Sequence, residues 1–434
     1  MKIKTTLKDR ITPIKVFSIL GVWGLFCVFS HFYSSNGELI DNYFFYDKMD
    51  TGMDFFHSIE YVNRRAPYLY FNALYPPLAN YFFFLCFRLV PTSITATWPM
   101  DFYESILTRG TDADLRIHQA PLLLFCLFLM ISIWMITSLM LYIMRDSERG
   151  WRHGAVFCML FSPGMMFAVE RGNILLLAVP FCLFFVAFRN SKSWLLRELA
   201  LLSLALAAGL KLYPAFLGVL LLHDKKYLAA ARAVVYGILA VILPALFFRE
   251  GLAGIQMWLN IVFQFGSMSP TPWFGTGFEN ILHHIALFLR ENLSIEICTD
   301  YFSTASICVS GLLLVTALFL ERDWQRILAA ILAAVLFQAQ VRYVFGFFVL
   351  PMTVFLAEEK RFNIKNIIPF ILMLLNLLNL PLFYVRDQEY PDIILAQWVC
   401  MLLVIWCVTE FAVQTVRKIR STRDGEKIYG NLEK

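Results

Sequence analysis

The chain has 434 residues, of which 59% are hydrophobic and 16% aromatic, and only 16% are charged, where a soluble globular domain carries about 25%. That balance excludes an ordinary soluble protein. The mean hydropathy is +0.64, and apolar runs such as 16–32 and 120–144 are long enough to cross a hydrocarbon core about 30 Å thick. The net charge of +5 is spread over short loops, so it reads as membrane topology and gives no reason to expect nucleic acid.

At the N-terminus Lys2, Lys4, Lys8, Arg10 and Lys15 precede the first apolar run, and no small-x-small cleavage site follows it. The expected element is an uncleaved first helix with its basic end in the cytoplasm. The loop at 35–73 carries Glu38, Asp41, Asp47, Asp50, Asp54 and Glu60 and should therefore lie outside. Basic residues recur at 145–152, 189–197, 225–226, 322–326 and 360–365, and in the tail 417–434. All of these are expected to be cytoplasmic. Placing 145–152 inside forces the apolar segment 75–90 back to the side it came from. That segment is then re-entrant or juxtamembrane, unless one basic loop breaks the rule.

Two further places read as broken helices: Phe161-Ser162-Pro163-Gly164 leading into Glu170-Arg171-Gly172-Asn173, and Gly209-Leu210-Lys211-Leu212-Tyr213-Pro214. Non-helical backbone at membrane depth survives only where protein buries it or where it lines a wet cavity, so both are candidate cavity walls. A second polar loop, 249–300, contains Trp258, Pro270, Pro272, Trp273, Gly275 and Gly277 and is expected to hold short interfacial helices. The expected architecture is one all-α membrane domain over 1–434, with about 10–13 transmembrane or re-entrant helices. The nine cysteines sit mostly inside apolar runs without any CxxC, which suits packing better than disulfides or metal.

Loop 35–73 ends in Met53-Asp54-Phe55-Phe56-His57-Ser58-Ile59-Glu60-Tyr61, then Pro67-Tyr68-Leu69-Tyr70 and Tyr75-Pro76-Pro77-Leu78. An acid just outside the first helix, an aromatic amphipathic stretch and a Pro-Pro membrane entry together resemble the GT-C glycosyltransferases. More closely, the chain resembles glycosyltransferase family 87, whose members use polyprenyl-phosphate sugars. Glu170-Arg171-Gly172-Asn173, Gly209-Leu210-Lys211-Leu212-Tyr213-Pro214 and the turn His223-Asp224-Lys225-Lys226-Tyr227 follow in matching order, so the resemblance covers about 40–250. It implies a GT-C-type bundle that moves a hexose, plausibly mannose, from a polyprenyl phosphate to a lipid-linked or glycan acceptor on the extracytoplasmic face of a bacterial plasma membrane. A late histidine motif common in such enzymes is missing, since no histidine follows His284.

The chemistry itself requires a carboxylate to accept the proton of the attacking hydroxyl, and cations or dipoles to hold the departing phosphate. Asp54 is the first choice as base, with Asp50 and Asp47 behind it and His57 one helical turn away to orient carboxylate or acceptor. Lys211 and Arg342 interrupt apolar sequence, where charge is costly and by default functional or paired. With Arg171 they are candidates for the donor phosphate. The competing readings are a snorkelling lysine, an Arg171–Glu170 pair, and a structural partner for Arg342 such as Asp323 or a loop carboxylate. Tyr75, Asn173, Tyr213 and Tyr343 stand beside these motifs and are expected to line the substrate cavity. His283-His284 is a weak metal pair, because adjacent helical residues face apart. The acidic loop could recruit a divalent ion, but no ligand set is visible, so no cofactor or metal is expected.

Walker, GxSxG, HExxH and Rossmann patterns are absent, and no sequence remains for a soluble nucleotide-sugar domain, which favours a donor drawn from the membrane. A flippase or transporter of lipid-linked saccharide and an O-antigen-type polymerase or ligase remain as alternatives. The lack of an obvious inverted repeat counts mildly against the transporter.

Overall fold

The computed structural model describes residues 11–34, 51–107, 109–267, 276–337, 341–378 and 391–432, and the described segments are helices, 3-10 turns and connections without a strand. Asp47 and Asp50 lie outside the described residues, as do Pro270, Pro272, Trp273 and Gly275. In chain order the principal helices are α1 (Pro13–Ser34), α2 (Met53–Tyr61), α3 (Pro67–Phe71) and α4 (Pro77–Phe87), followed after three short helical turns by α5 (Gln119–Ile143). Then come α6 (Arg149–Leu160), α7 (Pro163–Arg171), α8 (Leu175–Phe188), α9 (Trp194–Leu210), α10 (Tyr227–Ala245), α11 (Ala253–Ser267) and α12 (Phe278–Leu293). The last five are α13 (Phe302–Phe319), α14 (Asp323–Leu336), α15 (Val349–Glu358), α16 (Ile364–Leu377) and α17 (Pro391–Leu432).

Among the described residues five helices, α1, α5, α10, α13 and the apolar stretch Leu395–Arg420 of α17, are long and apolar enough to cross a membrane. Helices α6 and α7 together have the apolarity of a broken span or a re-entrant loop, meeting at Ser162-Pro163 with a 58° bend, as the Ser-Pro-Gly motif predicts. The other apolar runs fold as shorter pieces. Helix α4 has 11 residues and is about 16 Å long at 1.5 Å per residue, half a hydrocarbon core, which fits the re-entrant or juxtamembrane expectation for 75–90. After Leu210 the chain runs through extended Lys211 into a 3-10 turn, Tyr213–Gly218, so the second predicted break is also present.

The centre of the bundle is α14. Every residue from Ile327 to Leu336 is buried, as expected of a helix that is apolar on all sides. At its start Trp324 stacks on Trp406 and meets Phe355 edge-on. Across the bundle, α7 passes the 3-10 turn Arg342–Phe348 at backbone contact, where a Cβ on Gly164 would lie 2.5 Å from Gly346 N. Only a residue without a side chain permits that approach, and it fixes the segment bearing Arg171 against the one bearing Arg342.

Charged turns gather at two ends. At one end, Arg189 bonds Asp323 at 2.7 Å and lies 3.7 Å from Asp224, Lys226 reaches Asp224 at 3.8 Å, and Arg326 bonds Asp323 at 2.6 Å. Trp324 Nε1 donates to Glu359 at 3.0 Å, next to Lys360, whose Nζ reaches Ser147 Oγ at 3.3 Å, while Lys15 pairs with Glu148 at 3.4 Å. The basic turns expected to share one side of the membrane are thus connected to one another. At the other end the two long loops meet. Arg249 N donates to Arg65 O at 2.8 Å, Glu250 Oε1 accepts from Tyr68 N at 2.9 Å and Leu69 N at 2.7 Å, and Trp258 Nε1 donates to Leu74 O at 3.1 Å.

Candidate active site

Helix α2 is hung directly on the end of α7, because Gly52 N, just before α2, donates to Glu170 O at 2.8 Å. Gly172 then ends α7 in the left-handed conformation (φ 63°), and a Cβ there would come within 2.8 Å of Phe55 Cβ. The glycine stops the helix and lets α2 pack against the stop. The residues on either side of it, Arg171 and Asn173, are thereby delivered to Asp54 in the first turn of α2.

Asp54 accepts from Arg171 through Nη2 at 2.7 Å and Nε at 3.2 Å on Oδ1, and from Asn173 Nδ2 on Oδ2. Burial alone would raise its pKa. The charge and hydrogen bonds of Arg171, the Asn173 amide and the more distant Lys211 ammonium outweigh that effect and hold the carboxyl below the usual aspartate range. Asn173 Nδ2 also reaches Tyr75 OH at 3.0 Å, while its Oδ1 accepts from Leu175 N at 3.0 Å and caps the start of α8.

Lys211 is 5% exposed and sits among three tyrosines. Its Nζ lies 4.6 Å from the ring centroids of both Tyr75 and Tyr343 and 5.8 Å from that of Tyr213, and it approaches Tyr343 OH at 3.5 Å. An ammonium over aromatic faces is partly compensated for its lost hydration, so the snorkelling alternative fails: this lysine points inward. Arg342, 3% exposed, places its guanidinium 4.9 Å from the Phe167 ring centroid. Asp323, the structural partner considered for it, is instead held by Arg189 and Arg326.

These groups open onto one cavity of about 1,530 Å³, to which Asp54, His57, Tyr75, Arg171, Lys211, Tyr213, Arg342 and Tyr343 all contribute. Pockets for a single small ligand are commonly about 300–1,000 Å³, so there is room for two substrates. The wall away from Asp54 is apolar, with Leu204, Ala208, Val234, Ile238 and Leu314 among its residues.

One expectation needs correction. Asn173 does not line the cavity; it is fully buried behind Asp54 and Tyr75, because both ends of its amide are engaged in holding other groups. His283 and His284 do not line the cavity either, and His283 packs on the Phe302 ring. The sequence reading missed Tyr61, Phe71, Asn80 and Arg109, which all contribute to the wall. Tyr61 had a usable signal, since it follows His57 by four residues and helical neighbours at that spacing share a face. Arg109 had none, standing in a segment without periodicity.

The fold and the cavity define a membrane-embedded protein in which, among the described residues, Asp54 and several cations face a largely apolar chamber. The model of glycosyltransferase family 87 matches residues 115–341, just over half of the chain, and the chain belongs to that family. It is a membrane glycosyltransferase, which decides against the transporter reading. The match begins and ends later than the 40–250 stretch marked by the motifs. It takes in Arg171, Asn173, Lys211 and Tyr213, whereas Asp54 precedes it and Arg342 follows it by one residue. No curated protein and no solved structure matches the chain.

Proposed function

We propose that the enzyme moves a hexose, with mannose the leading candidate, from a polyprenyl phosphate to a lipid-linked or glycan acceptor, with inversion and with Asp54 as general base. The observation that carries this reading is the meeting of Asp54, Arg171 and Lys211 in one cavity whose remaining wall is apolar. A sugar phosphate esterified to an isoprenoid matches that distribution, with its phosphate among cations and its chain against Leu204, Ala208, Val234 and Ile238.

In the proposed reaction the acceptor oxygen bonds to C1 of the donor hexose while the C1–O bond to phosphate breaks. The electron pair of that bond leaves on the phosphate, and the hydroxyl proton passes to Asp54. In a transition state with oxocarbenium character the hydroxyl becomes acidic only as its bond to C1 forms. A carboxylate that stays ionised and takes the proton late is therefore adequate, and the low pKa of Asp54 is compatible with the role. Arg171 gives two of its donors to Asp54, so we assign it to orienting the base, a reassignment from phosphate binding. Lys211 and Arg342 remain for the departing phosphate, whose added charge they stabilise. The basic turns are proposed as cytoplasmic and the Asp54 end as extracytoplasmic, in a bacterial plasma membrane.

The test is transfer of labelled hexose from a polyprenyl-phosphate hexose by the purified enzyme. Asp54→Asn keeps the shape of the side chain and its ability to lie beside Arg171, yet cannot accept the proton. It should abolish transfer while leaving donor binding measurable. An Asp54→Asn enzyme with near wild-type turnover would remove Asp54 from the mechanism. An inactive Asp50→Asn beside an active Asp54→Asn would move the base four residues back along the chain.

A further inference from the structure

Helix α2 has nine residues, too few to hold a helix without outside support. The place of Asp54 in its first turn therefore depends on what tethers that turn. The bonds from Arg171 reach only the carboxylate. The main chain is held two residues earlier, at the peptide unit between Thr51 and Gly52. Its N–H, on Gly52, donates to Glu170 O at 2.8 Å, and its carbonyl, on Thr51, accepts from Arg116 Nη1 at 3.2 Å. One peptide plane is thus held at both polar ends, by the end of α7 and by a side chain from the turn before α5.

Arg116 is itself firmly held. It stands in the 3-10 turn Leu115–Ile117, and Leu115 beside it is buried in the main core. Asp114, 4% exposed, accepts from Arg116 Nε at 3.0 Å and Nη2 at 2.7 Å, and from the main-chain N–H groups of Gly110 at 2.9 Å and Arg116 at 3.0 Å. A carboxylate that takes two donors along one edge of a guanidinium fixes the plane of that group, which aims Nη1 at Thr51 O. Helix α5 adds apolar support: the Phe125 ring centroid lies 5.4 Å from that of Phe55 and 5.2 Å from that of Phe56, and Phe128 lies 5.2 Å from Phe55. Such ring contacts are weakly directional and set the spacing of α2 and α5, whereas a hydrogen bond is directional and sets how the first turn is rotated. Neither Arg116 nor Asp114 lines the cavity, so neither meets a substrate.

We infer that Arg116 is a positioning residue for the reaction: through Thr51 O it fixes the first turn of α2, and thereby where Asp54 stands relative to Lys211 and Arg342. The inference rests on Asp54 as the base. An arginine that only tied its own turn would satisfy Asp114 and stop there. This one also spans 65 positions of chain to reach the one peptide unit that carries the bond to α7. A base displaced by about 1 Å loses on the order of 10²-fold in rate, so a tether at this point bears on turnover and leaves donor binding alone.

The test compares the full-length enzyme in lipid nanodiscs with the double variant Asp114→Asn, Arg116→Gln. Both charges are removed together, so no buried carboxylate is stranded, and the shorter glutamine cannot reach Thr51 O. Per folded molecule, kcat for hexose transfer from the polyprenyl-phosphate donor should fall about 10–100-fold with the donor KM within about twofold of wild type. Hydrogen exchange read by mass spectrometry should speed up about tenfold or more over 53–61 and stay unchanged over 163–171. Asp323→Asn, which breaks a guanidinium–carboxylate pair at the other end of the molecule, should change neither quantity. Wild-type kcat in the folded double variant would overturn the assignment, as would a rise in KM alone or an equal loss of kcat in Asp323→Asn. Faster exchange over 53–61 beside an active Asp54→Asn enzyme would keep the tether and discard the base. Wild-type exchange beside an inactive Asp54→Asn enzyme would keep the base and discard the tether.

Discussion

Two buried charge clusters occupy opposite ends of this molecule, and their difference shows what a charge in an apolar chain is for. Around Arg189, every cation of the network meets a carboxylate within the protein: one guanidinium, 2% exposed at its side chain, is shared between Asp323 and Asp224, and Lys226 and Arg326 complete the network. None of these residues faces the large cavity. Around Asp54 the arrangement is open. Among the described residues that line the cavity, Asp54 meets Arg171, with Lys211 and Arg342 facing the same space. The first cluster ties three helix ends together and is closed on itself. The second presents its charged groups to a chamber that can admit a charged substrate. Burial of charge is common to both; the opening distinguishes the site.

The largest expected effect separates the clusters most sharply. Asp54→Asn should lower turnover by about 10²–10⁴-fold, the usual worth of a positioned general base, in molecules that remain folded, whatever stability the lost pair with Arg171 costs. Asp323→Asn should do the opposite, lowering the melting temperature while each folded molecule keeps its turnover. If both variants lost turnover per folded molecule, the division would be wrong.

Next in size are Lys211→Met and Arg342→Met. Each removes a charge from the cavity while keeping length and bulk. A hydrogen bond to a charged group contributes about 1.5–3 kcal/mol, so each should cost about 10–100-fold in kcat/KM for the lipid donor, read as a rise in KM or a fall in kcat. Unchanged donor kinetics in either variant would move that residue into the structural class with Arg189.

Arg189→Met probes the closed cluster from the cationic side. Removing one partner of a buried pair typically costs about 3–5 kcal/mol. Asp323 keeps some contact with solvent and Arg326 remains beside it, so the lower end of that range is expected. The measurement is detergent-resistant thermal unfolding, with acceptor and donor KM values unchanged.

A smaller effect concerns pH. The folded pKa of Asp54 lies below its ordinary value, so its pairing adds stability that is fully present above the unfolded aspartate pKa of about 3.9 and is lost as pH falls through the folded value. For catalysis the same shift keeps the base ionised, so the acid limb of kcat/KM should fall below about pH 4, outside the ordinary carboxylate range. In Arg171→Gln that limb should move upward, because burial then acts with less opposition.

Sidedness gives the last prediction. Cys298 is exposed, in the loop that packs against the Asp54 end. A membrane-impermeant thiol reagent should label it in intact cells and should not label Cys298→Ser. Labelling that appears only after the cells are opened would invert the proposed topology.

Lys211 and Arg342 were legible because charge is conspicuous in apolar sequence, and Asp54 through the acid–aromatic pattern that follows the first helix; the cavity collects all three. The breaks at Ser162-Pro163 and Lys211 were legible because proline and lysine seldom interrupt membrane segments without a structural consequence. Asn173 was placed in the right neighbourhood but on the wrong side of Asp54, since motif order does not reveal which way an amide turns. Of the partners considered for Arg342, Asp323 is paired elsewhere. Asp323 is closer in the chain to Arg342 than to Arg189, yet α14 carries Arg342's neighbours and Asp323 to opposite ends of the bundle. The rings of His57, Tyr61 and Phe71 stack in a row that joins two helices across a turn, a relation that helical periodicity within α2 alone cannot supply.

The crossing of Gly164 over Gly346 divides the chamber mechanically. Backbone in contact with backbone has no rotamer to adjust, so the floor that mounts Arg171 and Arg342 must behave as a single stiff plate. The roof is built otherwise: Tyr68, Ala73 and Trp258 form a small apolar cluster of their own, apart from the main core, joined to α10 through Glu250 and Arg249. A shift of that roof would leave the spacing of Arg171 and Arg342 on the floor unchanged.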